Sequence, residues 1–103
     1  MSDVNRELIF SEVFLDDLIS FEQYIGRDEA KKGRTFTSKI YDYILDIIQK
    51  FPLANPKFIM DSETIRKAVY DKKYIIIYKV LDESIELLRI YHTSKDATNI
   101  NIE

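Results

Sequence analysis

Residues 64–96 read TIRKAVYDKKYIIIYKVLDESIELLRIYHTSKD. Three runs rich in Ile, Val and Tyr alternate with short charged breaks, which predicts strands at about 64–70, 74–81 and 84–92. The first break, Asp71–Lys73, is short, and the second is a two-residue turn at Asp82–Glu83 without the glycine such turns favour. That turn places Leu81 opposite Ser84 and Lys79 opposite Glu86, a cross-strand charge match that supports the register. Tyr74, Ile76, Tyr78 and Val80 then share a face with Ile85, Leu87, Arg89 and Tyr91. Ile75, Ile77, Lys79, Leu88, Ile90 and His92 take the other. The central strand is apolar on both faces, so each needs a cover.

The first half of the chain supplies one cover. A short strand is expected at about 5–10, with Leu8 and Phe10 on one face. Ser11 suits an N-cap, and Phe14, Leu18, Phe21 and Ile25 recur at helical spacing up to the stop signal Gly26. Asp28 is the expected cap of a second helix to about Lys50, striped with Phe36, Ile40, Ile44, Ile47, Ile48 and Phe51. Pro52 and Pro56 end it. The expected fold is a single α+β domain over 1–103, β-α-α-β-β-β, with a helical hairpin packed on a small, mainly antiparallel sheet. The second sheet face, around Ile75, Ile77, Leu88 and Ile90, is left for the short tail, a second copy in a homodimer, or a partner protein. The segment LANPKFIMDSE is the one long connection.

Composition removes several function classes. The 103 residues contain no cysteine and one histidine, which excludes disulfides and thiolate metal sites and argues against a structural zinc. No metal and no cofactor is expected, and no phosphate-binding glycine loop or nucleophile elbow is present. The opening MSDVNRELIF lacks a signal-peptide pattern, and no apolar run reaches the ~18 residues of a membrane span, so a cytoplasmic protein without membrane attachment is expected. Net charge is -3, against the strongly basic balance of a general nucleic-acid binder. The charge is uneven. Residues 1–25 carry six acidic groups and one basic, whereas residues 26–39 carry five basic groups (Arg27, Lys31, Lys32, Arg34, Lys39) and two acidic.

In order and spacing the chain resembles the RelE/ParE superfamily of bacterial type II toxin–antitoxin toxins. The residues that carry the likeness are Arg66 opening the second strand, the run Tyr74-Ile-Ile-Ile-Tyr78-Lys-Val80, and Leu88-Arg-Ile90-Tyr-His92-Thr-Ser-Lys95-Asp96. The resemblance implies a toxin silenced by a cognate antitoxin whose extended part wraps over it, with Ile75, Ile77, Leu88 and Ile90 as the face to cover. It implies one of two actions, in systems that include plasmid-stabilisation modules. ParE-like members inhibit growth by binding DNA gyrase. RelE-like members cleave mRNA on the ribosome, and some relatives are degenerate and non-toxic.

The ribonuclease reading needs a base, an acid and cations for phosphate. Arg66, His92 and Lys95 are its candidates, with Arg66 reaching the His92 face if Ile65 and Val69 point to the core. Their ordinary roles are a solvated strand arginine, a strand-end histidine and a surface lysine. The tail Ala97–Glu103 lacks the tyrosine or second basic residue common in nucleases of the family, and Lys95 cannot give arginine's bidentate grip. These departures favour a toxin that works by binding, with Arg27, Lys31, Lys32, Arg34 and Lys39 as the target-binding set. The ordinary role of that basic run is a solvated helix face.

Overall fold

The structure, a computed structural model, describes residues 6–58 and 63–94. Its elements are β1 (Glu7–Phe10), α1 (Glu12–Ile25), α2 (Ala30–Tyr43), a π-helical turn (Ile44–Gln49), β2 (Ile65–Tyr70), β3 (Tyr74–Val80) and β4 (Ser84–His92). The expected order and α+β class are therefore present. The sheet runs β1-β4-β3-β2, with β1 parallel to β4 and the other pairs antiparallel.

Local chemistry accounts for the first helix. The Ser11 hydroxyl accepts from the Phe14 backbone N–H at 2.9 Å, closing the N-terminus. Gly26 ends the helix, its N–H bonding back to the carbonyls of Glu22 and Tyr24. The second helix departs from expectation at both ends. Glu29, not Asp28, occupies the N-cap position, and it makes no side-chain cap bond. Beyond Tyr43 the coil widens to a π-helix. The residues facing the sheet recur at four (Ile40, Ile44, Ile48), a spacing that drifts around an α-helix of 3.6 residues per turn. The wider π turn keeps Ile44 and Ile48 buried and turns Ile47 and Phe51 outward, against their place in the expected stripe.

The helices pack antiparallel at very close range near their connecting turn. A Cβ built on Gly33 would lie 2.3 Å from the Glu22 backbone carbonyl. Glu22 also accepts a hydrogen bond from the Thr37 hydroxyl. Beneath the pair, Phe14, Ile40, Ile44 and Ile48 meet Ala68, Ile76, Tyr78, Val80, Ile85, Leu87 and Ile90 in one core. Aromatic rings seal its end, where Phe21, Phe36 and Tyr74 lie with centroids 4.9 to 6.1 Å apart.

The β3–β4 register holds as expected from Val80↔Ile85 through Lys79↔Glu86 to Tyr78↔Leu87, and then shifts by one. Ile77 faces Arg89, so Leu88 is an extra residue, a β-bulge. Past the bulge the faces exchange. Ile90 and His92 join Ile76 and Tyr74 on the helix side, and Arg89 and Tyr91 pass to the other. The expected placing of Ile90 and His92 on the uncovered face is thus corrected.

The Gly33 contact yields a test. Gly33→Ala gains roughly 1 kcal/mol of helix propensity. The new methyl must push the helices apart, and overpacking costs about 1–3 kcal/mol. We expect a net loss of stability in urea unfolding, with α1 and α2 still helical by circular dichroism.

Candidate functional site

Where β1 ends at Phe10, β4 continues without a strand neighbour on that side among the described residues, and α1 passes beside it. A cavity of about 600 Å³ opens there, lined from α1 by Asp17, Ser20, Phe21 and Tyr24, and from the sheet by Tyr74 and the stretch Arg89–His92, with Ser94 beyond. Its floor is one hydrogen-bonded unit. Asp17 accepts from Arg89 Nε at 2.8 Å, from Arg89 Nη2 at 3.0 Å and from the Ile90 backbone N–H at 3.1 Å. The carboxylate thus satisfies a backbone donor that β1 is too short to reach. Hydrogen bonding to Asp17 raises the Arg89 pKa further above its ordinary value, outweighing the effect of burial. Arg89 is the only cation lining the cavity among the described residues, and a carboxylate already neutralises it.

His92 stands on the cavity wall with its ring edge-on to Tyr74, centroids 5.4 Å apart. The Ser94 backbone N–H donates to Nδ1 at 3.1 Å, which places the neutral ring's proton on Nε2. The Ser94 hydroxyl lies 3.0 Å from the same nitrogen.

Arg66 is elsewhere. It pairs with Tyr78, whereas His92 pairs with Tyr74. Four residues of β3 separate the two levels, roughly 13 Å at ~3.3 Å per residue, and two strand spacings add about 10 Å across the sheet. The two residues do lie on the same face, as expected, but it is the helix face. Val69 is exposed and Ile65 faces Lys79 on the outer side, so the premise that these two point inward is corrected. Arg66 is a fastener. Its Nη1 donates to the Asn55 carbonyl at 2.6 Å, and its Nε is buried without a hydrogen-bond partner among the described residues. Tyr78 belongs to the same clasp, donating to the Pro52 carbonyl at 2.8 Å and accepting from Asn55 Nδ2 at 3.2 Å. Together they hold the post-helical loop on the sheet, where Lys57 bridges to Arg66 at the β2 edge. Lys95 lies outside the described residues. The structure therefore does not gather Arg66 and His92 into one reaction centre.

The face expected to need a partner is partly closed. Ile90 is 1% exposed in the helix-side core, and Ile77 is 0% exposed, flanked in register by Lys67 and Arg89, whose long aliphatic stems can cover it. Ile75 and Leu88 are half-buried. The basic set Arg27, Lys31, Lys32, Arg34 and Lys39 is exposed around the helical turn. Arg27 stacks on the Tyr24 ring at 4.3 Å, and Lys32 lies 3.9 Å from Glu29.

Asp17, Arg89 and Tyr24 were absent from the sequence-derived candidates. Asp17 carries the one available signal, because it lies three residues after Phe14 and four before Phe21, beside the buried stripe of α1. Among the described residues no cluster of His, Cys, Asp and Glu could hold a metal, and no helix is long and apolar enough to cross a membrane.

The family model for the ParE toxin of the type II toxin–antitoxin system parDE matches residues 8–97. No curated protein matches the chain in sequence. Among solved structures, the chromosomal ParDE system of P. aeruginosa is similar with a TM-score of 0.69 at 13% identity, over 85% of this chain and 96% of that one. The RelBE2 toxin–antitoxin complex of Mycobacterium tuberculosis is similar with a TM-score of 0.64 at 17% identity, over 91% and 98%. The E. coli DinJ–YafQ complex follows at 0.61 and 14%, over 88% and 96%. At these identities the structures share the fold.

Two substitutions test the site. Asp17→Asn keeps the shape but removes the charge that holds Arg89, and should lower stability by about 1–3 kcal/mol in urea titrations. Tyr78→Phe should lose about 1–2 kcal/mol at neutral pH through its two hydrogen bonds. Burial raises the Tyr78 phenol above its ordinary 10.0, so the folded chain keeps this proton after the unfolded chain has released it. Its contribution is complete below pH 10 and is lost as pH rises through the folded value. The Phe variant should therefore show a shallower alkaline decline in stability.

Proposed function

The chain belongs to the ParE toxin family of type II toxin–antitoxin systems, and on that premise we propose that it arrests growth by binding a protein target rather than by cutting RNA. One observation carries this reading: the two arginines of the sheet, Arg66 and Arg89, are committed within the fold. Arg89 is bound two-fold by Asp17, and Arg66 is tied to the Asn55 carbonyl a long way from His92. Stabilising a phosphorane-like charge needs cations aimed at the reacting group. Withdrawing Arg89 for that purpose would leave Asp17 unpaired in a half-buried site.

In this reading the exposed basic set at the helical turn meets the target, and DNA gyrase is the target that the family resemblance suggests. The toxin then acts in the cytoplasm, and a cognate antitoxin silences it. The antitoxin's extended segment would dock on the outer sheet face, where Ile75 and Leu88 retain exposure. Of the other two members of the first-expected docking set, Ile77 is buried on that outer face and Ile90 lies in the helix-side core, away from it.

Induction of the chain without antitoxin, followed by growth curves, DNA-damage reporters and mapping of mRNA 5′ ends, tests the proposal. We expect arrest with damage signalling and no codon-linked cuts, and at least a tenfold (~1.4 kcal/mol) weakening of target binding in the Lys31→Glu/Arg34→Glu double variant. Codon-linked cleavage that disappears in His92→Ala would sink the binding reading. Normal growth at good soluble levels would mark a degenerate member.

A further inference from the structure

The outer face of the helical hairpin is electrically polarised along its length. Because α1 and α2 run antiparallel, the C-terminal end of α2 lies beside the N-terminal end of α1. Exposed Glu12 and Asp16, one turn apart on α1, therefore share an end with exposed Asp42 of α2. The opposite end, at the turn, carries exposed Arg27, Lys31, Lys32 and Arg34 against exposed Asp28 and Glu29, a net positive balance, while exposed Lys39 offsets only one of the three carboxylates at the acidic end. None of Glu12, Asp16, Asp42, Lys31 or Arg34 has an ion-pair partner among the described residues. The turn's own Glu29 is taken up by Lys32.

Exposed Ile19 lies between the charged ends, and exposed Leu15 and Tyr41 stand beside Asp16 and Asp42 at the acidic end. Leu15 and Ile19, a turn apart on α1, are 42% and 52% exposed, and Tyr41 of α2 is 48% exposed. All three stand off the buried stripes of their helices, which run through Phe14 and Leu18 on α1 and Ile40 and Ile44 on the second helix.

We propose that this face pairs with the same face of a second copy, antiparallel about a two-fold axis. With the two-fold axis perpendicular to the helices, a residue at one end meets the other end of its partner. The acidic end of each protomer then faces the basic end of the other, twice, with Ile19 near the centre and Leu15 toward the acidic end. A parallel pairing would set like charges together at both ends and is disfavoured. Two 14-residue helices side by side, each about 21 Å long and about 10 Å wide, offer roughly 400 Å² per copy. That is about half the ~800 Å² per partner of a standard interface, so the dimer is weak and salt-sensitive. Its formation hides Lys31 and Arg34, which makes the dimer a stored form that competes with the target. That consequence alone rests on the binding reading, and sedimentation tests the dimer without it.

Sedimentation of the purified full chain from micromolar to millimolar concentration decides the matter, with circular dichroism confirming that each variant is folded. The wild-type chain should dimerise reversibly, less so as salt rises. Glu12→Lys/Asp16→Lys makes both ends basic, and Lys31→Glu/Arg34→Glu makes both ends acidic. Each variant alone should dimerise at least tenfold more weakly. Mixed together, they should form a 1:1 heterodimer that Ile19→Asp in both copies abolishes. A wild-type chain that stays monomeric throughout overturns the proposal. So does a dimer indifferent to both charge reversals, or a mixture that fails to pair. Protection of this face only when antitoxin is bound would assign it to the antitoxin and likewise reject self-association.

Discussion

A single extra residue in β4 sets the arrangement of everything around it. Leu88 bulges between Leu87 and Arg89, and from there on the strand presents its opposite side chains to each layer. Without the shift Ile90 would leave the core and Arg89 would enter it, an exchange that would bury a charge under the helices. With the shift Ile90 completes the helix-side core, and His92 comes onto that face against Tyr74. Arg89 reaches Asp17, and the Asp17 carboxylate also satisfies the Ile90 N–H that β1 leaves unpaired. One backbone irregularity thus shapes both the core and the cavity.

The helical layer is fastened by different means at its two ends, helix to helix at one and loop to sheet at the other. Near the hairpin turn, the absent side chain of Gly33 lets α2 approach the Glu22 carbonyl. At the far end, Arg66 and Tyr78 hold the loop that follows the π-helical turn by gripping its carbonyls. The second attachment commits the Arg66 guanidinium and the Tyr78 hydroxyl to the fold. Exposed charged groups remain on the outer surface of the hairpin, among them Glu12, Asp16, Lys31 and Arg34.

The order of elements and the helix-one boundaries were legible in the residues, because local chemistry decides them. Ser11 caps and Gly26 stops α1 whatever lies above or below, and the alternation of apolar residues defines three strands. The Lys79–Glu86 pairing was legible for the same reason, since the Asp82–Glu83 turn is short enough to specify it. Periodicity failed where packing overruled it. The second helix reads as continuous α to Lys50, yet contact with the sheet at every fourth residue widens it to π. In β4 the apolar phase switches at the Leu87-Leu88 doublet, from Ile85 and Leu87 to Leu88 and Ile90, yet a doublet of leucines fits a strand covered on both faces equally well and so does not by itself specify a bulge.

The candidate site divides along the same line. His92 as a rim residue and the basic run after Gly26 could be picked out by type and position, as could the α+β class and the likeness to toxin families. Whether Arg66 and His92 work together was not a local question. It depended on which strand levels they occupy, and pairing puts them four residues apart. That Arg89 is spoken for depends on Asp17, 72 positions away in the chain. By itself the sequence determined elements, caps, turns and charge distribution, all set by neighbours within a few residues. Tertiary structure alone decided which polar groups are satisfied and which remain available, because hydrogen-bond satisfaction joins residues that only the folded chain brings together.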